Sequence, residues 1–341
     1  MLKKIMLYLF VAVLFSAGFL LVFYPVGRSA VMDRKNRESI RHFQEIASGE
    51  KKDLQINESD MKDSSEKMEE ISGENDDAFM QLFSEMETYN QKIYQEHQTS
   101  LCDAWSYQQN VFDFPSTGLE DDMVGYLAID AMNIELPLYI GANEENMGKG
   151  AVVLSQTSMP IGGKNTNCVI AAHRGWYTSP MFQDIETLKP GDEVRLTNLW
   201  GTLVYQVVKS IVIDPSDIDA VKIIEGEDLL TLVTCHPYTQ NYQRYVVYCS
   251  RTGGSNQMAG EEEQSFDGEG ADDASQEEIS ADDSYEAEVE IPFEGIPWES
   301  SEPEIQKERL VNRLVMAGFG LALILVIFLL IIRKMKKKRK N

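Results

Sequence analysis

The chain has 341 residues, with 55 acidic against 31 basic side chains and a formal net charge of −24. That balance excludes a nucleic-acid binder, which needs Lys and Arg in excess to meet phosphate. Four cysteines, no CxxC pair and four scattered histidines exclude a disulfide-built mini-domain and leave no structural zinc site or other metal to expect.

The charge is uneven along the chain. Eighteen acids and no base lie between Thr252 and Gln306, while nine bases sit at Lys3, Lys4 and from Arg333 to Lys340. Without those blocks the body holds 37 acids and 22 bases. Ile5–Phe23 and Leu314–Ile332 are each 19 residues without a charge, long enough to cross a bilayer core of about 30 Å as helices. The first run is long for the core of a signal peptide, and no small-x-small cleavage site follows it cleanly, so an uncleaved anchor is expected. Basic residues flank the outer end of each run, which puts both termini in the cytoplasm and residues 25 to 312 outside the cell. The lipid bilayer is thus an expected partner and the localisation a multi-pass cell-membrane protein.

In chain order, 1–24 is a cytoplasmic stub and transmembrane helix, and 25–78 is a polar, charged stalk. Phe79, Leu82, Phe83, Met86, Asn90 and Ile93 fall at three- and four-residue spacing, which predicts an amphipathic helix over Asp77–Glu96. From about Met123 short apolar runs alternate with Gly, Pro and Asn turns. They are Gly125–Ile129, Ala151–Leu154, Cys168–Ala172, Glu193–Thr197, Leu203–Val208, Leu229–Thr234 and Tyr245–Tyr248. The expectation is a mainly β domain with at least seven strands, ending near Arg251. Residues 253–312 are acidic and poor in large apolar side chains, so they read as a disordered linker. A second transmembrane helix at 313–332 and a basic cytoplasmic tail at 333–341 follow.

Three residues stand at the ends of predicted strands. His173 follows Cys168-Val-Ile-Ala-Ala, Cys235 follows Leu229-Leu-Thr-Leu-Val-Thr, and Arg244 opens the next strand nine residues on. A connection of that length brings Arg244 back beside Cys235. A thiol, an imidazole and a cation are the ingredients of a nucleophile, an acid/base and an oxyanion stabiliser. Any one alone is more often a buried Cys or a hydrogen-bonded His without a catalytic role.

The local sequence is more specific. Thr231-Leu-Val-Thr-Cys235-His-Pro-Tyr-Thr-Gln-Asn-Tyr-Gln-Arg244 resembles the TLxTC…R signature of sortases. The Pro237-Tyr238 and Asn241 spacing is similar to class C, the pilin-polymerising branch. Thr157-Ser-Met-Pro-Ile-Gly-Gly163, running into Cys168-Val-Ile-Ala-Ala-His173-Arg174-Gly175, is similar to that class's approach to its catalytic His. Leu188-Lys-Pro-Gly191-Asp192, Asp214-Pro215 and Gly226-Glu-Asp228 match in order.

The resemblance covers about residues 80 to 252 and implies a sortase catalytic domain over 79–252, built on a closed eight-stranded β-barrel with N-terminal helices. The two transmembrane helices would flank it. It implies a cysteine transpeptidase without a cofactor, acting on pilin or surface-protein precursors that carry LPxTG-like sorting signals. By position Cys235 is the nucleophile, His173 the general acid/base and Arg244 the oxyanion and substrate-positioning cation, with Thr234 adding a substrate-side hydrogen bond or serving as an ordinary strand residue. Class C members carry a lid over the active site, preceded by a helix with a Tyr-Asn pair. Tyr89-Asn90 fits that pair, and Asp103-Ala104-Trp105, in a lid segment near 102–107, falls where the lid belongs, with Ala in place of the usual Pro. Asp103 would pair with Arg244 and Trp105 would cover Cys235, while Asp113-Phe114-Pro115 is out of order for the motif. Cys102 is expected as a free thiol, and Cys168, Cys249 and His236 as structural residues. A sortase that anchors proteins to peptidoglycan and a non-catalytic module that binds sorting signals remain as alternatives.

Overall fold

The structure is a computed structural model described at residues 16, 18, 24, 30–48, 63–99, 101, 112, 114, 119, 121–176, 179–256 and 289–338. Its centre is a closed barrel of eight strands. These are β1 (Met123–Ile129), β2 (Ile134–Ile140), β3 (Ala151–Val153), β4 (Thr166–Ala171), β7 (Glu193–Asn198), β8 (Gly201–Ile213), β9 (Asp228–His236) and β10 (Gln243–Asn256). Around the barrel they run β1-β2-β3-β4-β9-β10-β8-β7, with β7 closing on β1. A separate hairpin of β5 (Arg174–Trp176) and β6 (Ser179–Met181) leaves the barrel after β4. Closure removes the exposed edges that an open sheet of this size would present. The fold is therefore the expected mainly β, closed eight-stranded barrel.

Alternating burial shows why these segments are strands. In β7, Val194, Leu196 and Asn198 are buried, and in β8, Leu203, Tyr205 and Val207 point inward. All seven apolar runs predicted as strands lie in barrel strands. The eighth, β2, carries Pro137, which ordinarily argues against a strand. Pro137 pairs with Tyr126 of β1, and the ladder to β3 begins one residue later at Leu138, so the missing N–H falls where no β3 partner waits.

Two N-terminal helices cover the barrel: α1 (30–47) and α2 (Asp63–Gln95). The predicted stripe on α2 is the buried one, from Phe79 to Ile93, with Met86 fully enclosed. The Phe79 carbonyl accepts from Trp200 Nε1 at 3.2 Å, and the Trp200 ring meets Phe83 edge-on at 5.1 Å. The polar stalk expected at 25–78 needs correction. Within it α1 buries Ile40 and Phe43, and Phe43 meets Tyr126 of β1 edge-on at 6.5 Å. Ile46 and Ala47 extend the same apolar face, so a narrow stripe docks a helix rich in charged residues. A short helix, α3 (Glu144–Lys149), joins β2 to β3.

The acidic linker expected at 253–312 is corrected at both ends. Strand β10 continues to Asn256, paired with Gly201 of β8. Residues 289–301 then return to the barrel as an extended strap. Ile291 is buried, Phe293 stacks on Tyr248 at 6.1 Å, and Trp298 meets Tyr245 edge-on at 5.1 Å. Ile296 N–H donates to Val212 O at 2.8 Å, and Lys209 Nζ donates to Ile291 O at 3.0 Å. The mean composition of 253–312 hides a short period-two run, Val289, Ile291 and Phe293, among the acids. Residues 257–288 lie outside the described residues.

The strap leads into α4 (Glu302–Lys338), whose first turns are also tied to the barrel. Arg309 Nη2 pairs with Asp184, and Tyr238 Oη donates to Glu308 Oε2 at 2.9 Å. Among the described residues one helical stretch is long and apolar enough to cross a membrane, Glu302–Val326 of α4. Its Leu314, Leu321 and Ile324 are exposed. The first apolar run lies outside the described residues except at Ser16 and Gly18. Gly18 faces the Phe319 ring, where an added Cβ would come within 3.0 Å of Cζ.

Candidate active site

Strands β4 and β9 run parallel, from Thr166 opposite Asp228 to Ala171 opposite Val233, at constant offset. The pairing continues past the end of β4, because Ala172 N–H donates to Val233 O at 3.2 Å. His173 is the next residue, and Arg174 after it bonds the Cys235 carbonyl at 3.4 Å, so His173 lies at the Cys235 end of β9. On the other side of β9, Arg244 of β10 is the direct antiparallel partner of Cys235. Neighbouring strands lie about 4.8 Å apart and directly opposed residues share a face. Three adjacent strand ends therefore present His173, Cys235 and Arg244 side by side at one end of the barrel. All three are half-buried, whereas Arg174, His236 and Tyr245, one residue further along each strand, are buried.

Burial pulls the His173 imidazole below its ordinary value, which favours the neutral form. Arg244 Nη1 donates to the carbonyls of Asn241 at 3.1 Å and Gln243 at 2.9 Å, which fixes one edge of the guanidinium in the turn after Cys235. Thr234 is 3% exposed, and its hydroxyl donates to Ala172 O at 2.8 Å. That hydrogen bond clamps β9 to the residue before His173. Cys168 and Cys249 are buried free thiols inside the barrel, pushed up by burial and, for Cys168, by Asp228.

Beneath the three strand ends lies a buried ionic cluster. Arg174 pairs with Glu186, each side chain being 2% exposed. Arg174 Nη1 also donates to His236 Nδ1 at 2.8 Å and to the carbonyl of Cys235 itself at 3.4 Å. The same Nδ1 lies 3.4 Å from Glu186 Oε1, so the imidazole touches both members of the pair. Burial pushes the Glu186 carboxyl up, but contacts with His236, Ser300 and Arg174 outweigh it and hold the group at about 2. His236, expected as a structural residue, is 1% exposed, and the sequence did not connect Arg174 and Glu186 to it. Adjacency to His173 and Cys235 was a usable signal for Arg174 and His236; Glu186 carries no such signal.

The lid residues Asp103 and Trp105, with Cys102, lie outside the described residues, as does Asp113. The chain leading to that segment is pinned. Tyr89 Oη accepts from Gln156 N–H at 2.9 Å and Asn90 Oδ1 from Met159 N–H at 2.7 Å. Gln98 Oε1 accepts from Ile223 N–H at 2.7 Å, and Leu101 is buried.

Comparison with known proteins agrees with this arrangement. A family model described as the sortase domain matches residues 127–252, which contain all three strand-end residues. Sortase A of Bacillus anthracis is 28% identical over 156 residues, 45% of this chain and 72% of the relative. The type II crystal structure of Streptococcus agalactiae sortase C1 is 28% identical, with a TM-score of 0.50 over 63% of this chain and 97% of that one. Sortase C from Clostridium perfringens SM101 is 33% identical and is covered over 97% of its length by 55% of this chain, with a TM-score of 0.43. The family model spans the strand ends that carry the signature Cys, His and Arg on a closed eight-stranded barrel, so the chain carries a sortase domain over residues 127–252.

Proposed function

We propose that this chain is a membrane-anchored class C sortase that joins pilin subunits through isopeptide bonds. The observation that carries the reading is the strand arrangement, in which Arg244 is the direct partner of Cys235 and His173 follows the strand paired with β9. In the first half-reaction the Cys235 thiolate attacks the Thr–Gly carbonyl of an LPxTG-like sorting signal. Negative charge develops on the carbonyl oxygen beside the Arg244 guanidinium. The C–N bond then breaks, His173 delivers a proton to the departing Gly amine, and a thioacyl-enzyme remains. In the second half-reaction a Lys amine of another subunit attacks the thioester. His173 accepts the amine's proton, the C–S bond breaks and the Cys235 thiolate is restored.

The solved sortase C structures supply the analogy for class. Membrane anchoring rests on α4, whose exposed apolar side chains have no protein surface to cover them among the described residues, and on the first apolar run. Asp103 and Trp105 are assigned as the lid, and Thr234 as a residue that positions the β4–β9 strand ends. The test is Cys235→Ala in the native host. Pilus ladders and sorting-peptide cleavage are expected to disappear, with the variant protein still in the membrane. Ladders at wild-type level would overturn the reading.

A further inference from the structure

The strap is seated against the rear of the strand ends that carry the proposed chemistry. His173 and Cys235 face the open end of the barrel. The residues that follow them, Arg174 and His236, turn to the opposite face and are 5% and 1% exposed. Arg174 bonds the Cys235 carbonyl, so one side chain joins the chain just after His173 to the backbone of Cys235. What covers this junction comes from beyond the barrel. Trp298 lies edge-on against His236 at 5.5 Å. Ser300 Oγ donates to Glu186 Oε2 at 2.6 Å, and Ser301 N–H donates to the same oxygen at 2.9 Å. Ser301 Oγ also accepts from Tyr238 N–H at 3.0 Å, in the turn that carries the chain from Cys235 to Arg244.

We infer that residues 289–301 form a positioning strap for the active site: by completing the Glu186–Arg174–His236 cluster they fix the separation of Cys235 and His173 and the path of the Arg244 turn. Without the strap, Glu186 loses two of its donors, and a carboxylate 2% exposed beneath the site opens to water. Arg174 is then less firmly held on the Cys235 carbonyl, and the two strand ends are free to separate. The inference rests on the proposed roles of Cys235 and His173. Residues 289–301, expected as part of a disordered linker, accordingly hold the site.

Gly295 offers a way to release the strap without touching the cluster. Its φ is +71°, and a Cβ there would lie 2.6 Å from Val212 O. The experiment uses the full chain in detergent with a fluorogenic LPxTG peptide. Gly295→Val, Trp298→Ala and Ser300→Ala are expected to lower kcat roughly tenfold or more with little change in KM, as a small misplacement of reacting groups does. Ser300→Thr keeps the hydroxyl and is expected to restore most of the rate, which a general loss of fold would not permit. Thermal melting of each variant separates misplacement from unfolding. Wild-type kcat in Gly295→Val and Trp298→Ala, with Cys235→Ala inactive, overturns the strap alone. Cleavage that survives Cys235→Ala overturns the strap and the proposed function together.

Discussion

In the proposed reaction, His173 is the residue whose environment bears most directly on rate. Burial disfavours its charged form, so the neutral imidazole persists to lower pH than in an exposed histidine. A neutral imidazole is needed to draw the proton from the Cys235 thiol. The acid limb of kcat/KM for peptide cleavage is therefore expected below the ordinary imidazole value of about 6.5. A limb at or above that value would show that His173 is not the group being titrated. Arg244 complements it differently: two carbonyls of its own turn accept from Nη1, which anchors the guanidinium on the strand paired with Cys235. Cys235, His173 and Arg244 were legible in the sequence because each closes or opens an apolar run and carries a specific motif. Glu186 was not, since its role depends on a fold that brings it under strand ends far away in the chain.

Among the elements, the parallel pairing of β4 with β9 matters most, because it ends just before His173 and Cys235 and brings both to one end of the barrel. The last link in that pairing is a side-chain hydrogen bond, Thr234 Oγ1 to Ala172 O. Thr234→Val keeps the shape and leaves a buried carbonyl short of a donor, at a cost of about 1–3 kcal/mol. A lowered melting temperature and slower peptide cleavage are expected from Val, and near wild-type behaviour from Ser. Equal effects of the two substitutions would assign the role to packing. The strands themselves were readable from alternation, and α2 from its three- and four-residue spacing. The docking of α1 and the strap was not. In each, a few apolar residues such as Phe43, Ile291 and Trp298 sit in a charged context, so averages over the segment report solvent while single side chains report contact.

For the whole molecule, the net charge of −24 makes acid stability a sum of opposing effects. Lowering the pH relieves general repulsion among carboxylates, but it also protonates those that the fold holds ionised. Glu186 is the clearest of the second kind. Its folded value of about 2 lies below the ordinary 4.5. Its contribution is therefore complete above the ordinary value and is lost as pH falls from 4.5 toward about 2. Glu186→Gln removes that contribution and leaves the Arg174 charge without its buried partner, a change that typically costs about 3–5 kcal/mol. Repulsion elsewhere acts almost equally on wild type and variant, so their difference isolates the pair. The melting-temperature gap between them is expected to be widest near neutral pH and to narrow steadily below 4.5. Because the pair also holds the strap, the start of α4 should loosen with it, seen as faster amide exchange over 296–309. A gap that stays constant down to pH 2 would mean that the carboxylate at Glu186 is not what joins the barrel, the strap and α4.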